Sequence, residues 1–219
     1  DRNLMENRSS NLGLDDDRSF ALLNNQFNGS FSTSIISWNT AFKADKMNDT
    51  TLSNQIWENL LSYRQSISSL MSQSNPNAPN NLENSGYYTG YDSTQQDVII
   101  GAFMCAYLGE KPTLNNINPL NQRIPLPNWR ITFDGIGKIK SLRKYIKKLS
   151  FTHAYRSNFS LGNYTTNLSG DWDAAGNATQ TDIAGNFISQ KQIMTMNILE
   201  QFAPLLGVDL TLANNMSVK

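Results

Sequence analysis

From position 149 to position 161 the chain alternates. Leu149, Phe151, His153, Tyr155, Ser157, Phe159 and Leu161 fall on one side, and Ser150, Thr152, Ala154, Arg156, Asn158 and Ser160 on the other. A period of two belongs to a β-strand with one apolar and one polar face. Residues 30–43 alternate with a phase slip between Ile35 and Ile36, as a bulged strand would. In 124–135, Trp129, Ile131 and Phe133 share a face, which predicts a short strand ending in a turn. Two further strands are expected at 188–202 and 208–218, the second with Val208, Leu210, Leu212, Met216 and Val218 on one face. Pro204 would remove a ladder hydrogen bond from a central strand, so a turn joining two strands is expected there.

A different period governs the middle of the chain. Leu52, Ile56, Leu60, Tyr63, Ile67 and Leu70 recur every three or four residues and predict a helix with one buried face. A second helix, VIIGAFMCAYL, is expected after a capping box formed by Ser93 and Gln96, with Gly109 as its stop. It is apolar nearly all round and needs cover on every side, in a lumen or a crevice. Residues 72–93 and 162–186 read as polar loops, and no short internal repeat is evident. Residues 1–29 are polar and acidic at 15–17, and no element is assigned to them. The expected organisation is therefore 1–29 as a polar segment, 30–123 as a strand with a helical and loop insertion, and 124–219 as strands.

Composition narrows the function. Eighteen basic residues balance eighteen acidic ones, so no global field gathers nucleic acid or a charged substrate. The mean hydropathy is −0.45, yet aromatics are 10% of the chain, which indicates a folded, polar protein. No apolar run is long enough for a transmembrane helix, although a transmembrane barrel leaves no such run. A single cysteine, Cys105, among apolar neighbours reads as a buried small side chain. No export signal is legible, and both ends are expected to be cut from a longer protein.

The apolar face of 149–161 meets either a protein core or lipid. A soluble antiparallel sheet alternates in the same way. Three details favour lipid. Twelve strand steps of about 3.3 Å give roughly 40 Å, or about 30 Å of height at a tilt near 40°, enough to cross an apolar band of about 25 Å. The polar side carries no large apolar residue, which suits a wide wet lumen. Connections also alternate in length on either side of this strand. On this reading Leu149, Phe151, Tyr155, Phe159 and Leu161 face lipid, and Ser150, Thr152, Arg156, Asn158 and Ser160 face the lumen.

Candidate chemistry is sparse. Asp171, Asp173, Asn177 and Asp182 stand at positions 1, 3, 7 and 12 of a calcium-loop spacing with Gly176 at position 6, but position 5 is Ala175 and position 12 is not glutamate. His153 is the sole histidine, so no two-histidine site can form within the chain. The basic stretch GKIKSLRKYIKK reads as a solvated connection near a barrel rim. No nucleophile with a base is recognisable, and neither an enzyme nor a cofactor is expected.

PLPNWRITFDG, LSFTHAYRSNFSLGNYTTNL and ILEQFAPLLGVDLTLANNM, in this order, resemble the SprA (Sov) family of giant outer-membrane translocons of the type IX secretion system. GYYTGYDSTQQDVIIGAFMCAYLG resembles the same family upstream. The resemblance rests on Pro127, Asn128, Trp129, Arg130, Asp134, Gly135, His153, Tyr155, Arg156, Ser157, Gln201, Phe202, Pro204 and Gly207. It implies a mainly β fold with α insertions, a segment of a very large transmembrane antiparallel β-barrel with two helices in its loops or lumen. It further implies a bacterial outer-membrane location and a pore for exported cargo proteins, including surface and gliding-motility proteins. The implied partners are the rest of the same barrel, the lipid bilayer, a PorV-like small barrel and a periplasmic plug, with no nucleic acid. The alternative from the residues themselves is a soluble or surface-exposed β-rich binding or adhesin module.

Overall fold

The computed structural model describes residues 2–14, 20–37, 46–48, 51–121, 124–135, 139–142 and 144–218. Their centre is one antiparallel sheet of seven strands, not closed into a barrel. Its strands are β1 (Arg2–Leu14), β2 (Phe20–Ser34), β5 (Trp129–Phe133), β6 (Ile146–Thr166), β7 (Lys191–Phe202), β8 (Gly207–Leu212) and β9 (Ser217–Val218). A small hairpin, β3 (Lys46–Asn48) and β4 (Thr51–Ser53), stands apart from it. Two helices follow that hairpin: α1 (Gln55–Ser74) and α2 (Gln96–Leu108). No helix among the described residues is long and apolar enough to cross a membrane, which says nothing about strands.

β6 is the axis of the sheet, and each of its edges is paired by two strands in succession. On one edge β2 reaches Asn158 with Ser34, and β5 takes over at Tyr155 with Trp129. On the other edge β7 ends with Phe202 opposite Tyr155, and β8 resumes with Gly207 opposite Thr152. Both pairs run in one direction, so each is a single strand line with an interruption. In the first line the interruption holds both helices. The Leu126 N–H donates to the Ser34 carbonyl at 3.1 Å, so the chain returns to where it left.

In the second line the interruption is the turn 203–206. The Pro204 carbonyl accepts from the Ala154 N–H at 3.0 Å. The expected turn at Pro204 is present, but it continues one strand line where a hairpin would have reversed it.

Other expectations need correction. β1 and the first half of β2 form a hairpin within residues left without an element, because the residues of β1 at 2–10 are nearly all exposed and show no alternation. The expected strand at 30–43 ends at Ser34, and its positions 38–43 lie outside the described residues. The face shared by Val208 and Val218 is real, but a turn with Asn215 at φ 67° folds the segment into a hairpin that sets Val218 opposite Leu210.

The helices form where the periodicity places them, except that Leu52, expected on the face of the first helix, lies in β4. Asn54 caps α1 by accepting the Trp57 N–H at 2.8 Å. At α2 the cap is Gln95, whose side-chain oxygen takes the Val98 N–H at 3.0 Å, and not Ser93. Gln96 does not close a capping box: its Nε2 donates to the Lys191 carbonyl at 2.7 Å, and its Oε1 accepts from the Ile193 N–H, stitching the helix to β7. Gly109 ends α2 in the left-handed region at φ 69°.

The all-round apolarity of α2 has a direct cause. Ile100 and Met104 pack on Phe31, Phe159, Leu161 and Tyr164 of the sheet. Val98, Ala102 and Cys105 pack on Ile67 of α1 and on Tyr91, Ile117 and Phe187. Cys105 is buried, as its neighbours in sequence suggested. Two faces of the helix are thus covered by protein, whereas Ile99 is 39% exposed and Phe103 and Tyr107 on the same face are half-buried, so the cover expected on every side is incomplete.

The polar connections are ordered by a repeat that sequence inspection passed over. WDAAGNATQ at 172–180 is followed by TDIAGNFIS at 181–189, and LENSGYYTG at 82–90 shares the pattern. All three form the same small hairpin. The N–H of residue 89, 179 or 188 donates to the carbonyl eight residues earlier, around a turn held by a glycine with positive φ. The repeat hides in sequence because its shared residues are small turn formers in a background rich in asparagine, serine and threonine. The hairpins dock on one another: the Phe187 N–H donates to the Gly90 carbonyl at 2.8 Å, and the Tyr91 and Phe187 ring centroids lie 5.3 Å apart. Together with the helices they cover the Thr166 end of the sheet.

Candidate functional site: a two-faced sheet under a helical cover

Residues directly opposite in a ladder share a face, so register assigns both sides of the sheet. The polar side of β6 is matched by polar partners: Ser150 lies opposite Asp209, Thr152 opposite Thr132, Arg156 opposite Gln201, and Ser160 opposite Ser32 and Asn197. Arg156 is exposed, Thr152, Asn158 and Ser160 are half-buried, and Ser150 is buried. Leu199, opposite Asn158, is an apolar exception.

The apolar side divides into two halves. Near Thr166 it lies under α2. Phe159 and Leu161, at 3% and 1% exposure, belong to the core cluster with Ile100 and Met104. The expected lipid contact of these two residues is therefore corrected to contact with protein. Tyr155, at 1% exposure, is corrected too. Its ring lies between Trp129 at 4.6 Å and Phe202 at 5.0 Å between centroids. Its hydroxyl accepts the Ser37 N–H at 2.9 Å and donates to Glu200 Oε1 at 2.6 Å. Local alternation predicts which residues share a face, but the helix that covers them comes from elsewhere in the chain.

Toward Ile146 the apolar side lies outside the cover. Leu149 and Phe151 are half-buried beside Leu210, Val208 and Phe133, and Ile131 and Phe133 are 58% and 54% exposed. Exposed lysines, Lys140, Lys144, Lys147 and Lys148, stand at this end. The basic stretch is thus at the end of the sheet opposite the helices.

Asn128, Trp129, His153, Tyr155, Ser157, Phe202 and Pro204, among the residues on which the resemblance rests, lie at the waist of the sheet, where both strand lines are interrupted. Asn128 Oδ1 accepts the Ser157 N–H at 2.8 Å, in place of the β2 partner that has ended. Ser157 is fully buried, with its Oγ 3.1 Å from Ser37 Oγ. Trp129, Tyr155 and Phe202 form one row across three strands, with His153 beside it at 6.3 Å from Trp129 and 6.0 Å from Phe202. His153 Nδ1 pairs with the Leu205 carbonyl at 2.6 Å, tying it to the turn after Pro204. Gly207 allows that turn to close: a Cβ there would lie 3.0 Å from Pro204 Cγ. Gly135 has the Phe133 ring over it. Pro127, Arg130 and Asp134 are exposed nearby. Ser37 and Glu200, which complete the waist, carried no sequence signal beyond being polar.

The calcium spacing does not converge into a cage. The Asp173 carboxylate accepts from the Ala175 and Asn177 N–H groups at 2.9 and 2.8 Å, and Asp182 does the same for Ala184 and Asn186. Asp171 takes the Trp172 N–H. Each carboxylate holds its own turn, and the described residues hold no cluster of three metal-ligating side chains of the His, Cys, Asp or Glu type. Hydrogen bonds from Asn177 hold the Asp173 carboxyl below the usual carboxylate range. Burial pushes the Tyr91 hydroxyl up, against the hydrogen bond from Asn75. No known protein-family profile matches the chain, and no curated protein matches it.

Proposed function

We propose that this chain is part of the wall of an outer-membrane protein-export channel of the SprA type. One observation carries the reading: an open antiparallel sheet of long strands is polar on one side and, at one end, apolar and uncovered on the other. Acidic, basic and amide side chains such as Asp209, Arg156 and Gln201 suit a water-filled lumen and would be costly against hydrocarbon. The connection 167–190 at the Thr166 end is longer than 134–145 and 213–216 at the other end, whereas 15–19, between β1 and β2 at the Thr166 end, is short. In the uncovered half of the sheet the free edges among the described residues are β5 and β9, positions where the rest of the barrel would continue the ladder. Cargo would pass along the polar side, and a PorV-like barrel and a plug are partners by resemblance alone.

The cover limits how much of the sheet lipid could touch. From Leu149 to Tyr155 six steps give about 20 Å along the strand, or about 15 Å of height at a tilt near 40°, less than the apolar band of about 25 Å, so the crossing length expected from 149–161 is not met by its uncovered part. The bilayer surface then lies at the Trp129, Tyr155 and Phe202 row, where aromatic rings suit the interface, with the helices beyond it.

The test is cysteine labelling of the full-length protein in native membranes, in a Cys105→Ser background, at Ile131, Phe133, Val208, Thr132, Arg156 and Asp209. The expected result is quenching from the lipid phase at the first three and aqueous maleimide labelling at the last three. Aqueous labelling of Ile131, Phe133 and Val208 would overturn the membrane reading and leave the surface-exposed binding module.

A further inference from the structure

The two outer strands of the covered half of the sheet are built differently. β1 turns charge onto the covered side: Arg2 lies opposite Thr33, Glu6 opposite Gly29 and Arg8 opposite Phe27. The Arg2 and Arg8 guanidiniums stand 5.5 and 5.1 Å from the ring centroids of Phe31 and Phe27. The Glu6 carboxylate accepts from the Tyr164 hydroxyl at 3.1 Å. Charged side chains facing inward blunt an edge against further strands.

β7 lacks that protection. It pairs with β6, and its outer edge meets no strand among the described residues. Between Lys191 and Glu200 it carries neither a charge nor a proline. Ile193, Met196 and Ile198 are partly buried against the core, while Met194 and Leu199 are 58% and 57% exposed. An uncharged edge of this composition is a template for another strand.

The start of that edge is already taken. The Asn167 N–H donates to the Gln190 carbonyl, so the backbone groups of Lys191 and Ile193 point away from β6. Gln96 of α2 binds both, with Nε2 donating to the Lys191 carbonyl at 2.7 Å and Oε1 accepting the Ile193 N–H at 3.0 Å. One carboxamide thus stands where a neighbouring strand would place a peptide group. At about 100° per residue, Phe103 and Tyr107 fall within about 20° of Gln96 around the helix. The side of α2 turned to this edge is therefore aromatic, and both rings are half-buried.

We propose that a further strand adds antiparallel to β7 along Met194–Gln201, and that it is the polypeptide continuing β9 in the full-length protein. β9 already lies outside β8, which stands in one line with β7. Its pairs, Ser217 with Thr211 and then Val218 with Leu210, carry it toward Gly207 and so toward the open edge. The inference rests on the export reading, which takes this chain as part of a longer wall. It adds which edge of the covered half that wall uses, and from which strand.

Benzoylphenylalanine in place of Leu199, photolysed in the full-length protein in native membranes, tests it, with adducts mapped by mass spectrometry. The expected adduct joins the same polypeptide at a position beyond Lys219. No adduct, or one with a second copy, another protein or lipid, overturns the proposal. Hydrogen exchange is the second readout: the amides of 194–201 should all be slow, whereas an open edge leaves about every second one fast and would overturn it equally. Aqueous labelling of Ile131, Phe133 and Val208 alongside the expected adduct sinks the membrane reading and leaves the added strand; lipid quenching there without the adduct does the reverse.

Discussion

The amide of Leu126 donates to the carbonyl of Ser34 at 3.1 Å, closing a chain excursion that contains both helices. The excursion leaves and rejoins one strand line at the level of Ser157, whose carbonyl accepts the Ile35 N–H at 3.3 Å while its own N–H goes to the Asn128 side chain at 2.8 Å. Tyr155 holds this junction from beneath.

Tyr155→Phe is expected to leave the Ser37 N–H and the Glu200 carboxylate without their partner. Opening of the junction should become easier by about 1–3 kcal/mol. Hydrogen exchange of peptides covering 34–37 and 126–129 in the full-length protein reads this directly. Unchanged exchange would show that the hydroxyl does not hold the junction.

Phe159 and Phe133 lie on the same apolar side but in different surroundings. Phe159→Ala empties a core site against Ile100 and Met104 and is expected to cost about 3–5 kcal/mol. Phe133, 54% exposed, should lose far less on the same change. Protease resistance of the α1 and α2 region compares them, and equal losses would contradict the division of the face into covered and uncovered halves.

Gly90 sits at φ +88° with the Phe187 ring against it. Gly90→Ala is expected to cost more than about 1 kcal/mol, through both the backbone and the collision. Separation of the two docked hairpins would follow. Faster cleavage within 167–190, with α1 intact, is the expected signature.

Asp173 gives the cover a pH dependence of known sign. Its carboxyl is held below its unfolded value, so the turn it stabilises is fully present above the unfolded pKa and is lost as pH falls through the folded pKa. Pepsin cleavage of the 171–180 hairpin should therefore rise at the acid end of that window. In Asp173→Asn the neutral side chain should remove the pH dependence, and a dependence that survives would assign it to another group.

Much of the secondary structure was legible. The alternation of 149–161, the three-four spacing from Ile56 to Leu70, and the stop at Gly109 each express a local backbone preference that neighbouring residues set among themselves. β1 was not legible, since an exposed edge strand of polar residues has no periodic contrast to read. The waist was half legible: its aromatic and proline residues stand out, whereas Ser37 and Glu200 matter only through the hydroxyl of Tyr155.

The sequence by itself determined which side chains of β6 lie together, and that one side of it is polar. Only the tertiary structure decided what meets the other side: Ile100 and Met104 over Phe159 and Leu161, and open surface beside Phe133 and Ile131. The same holds for the joining of β2 to β5 and of β7 to β8 into two lines. A period of two is a property of the backbone within a few residues, whereas burial depends on what the rest of the chain brings to the surface. No local pattern contains that information.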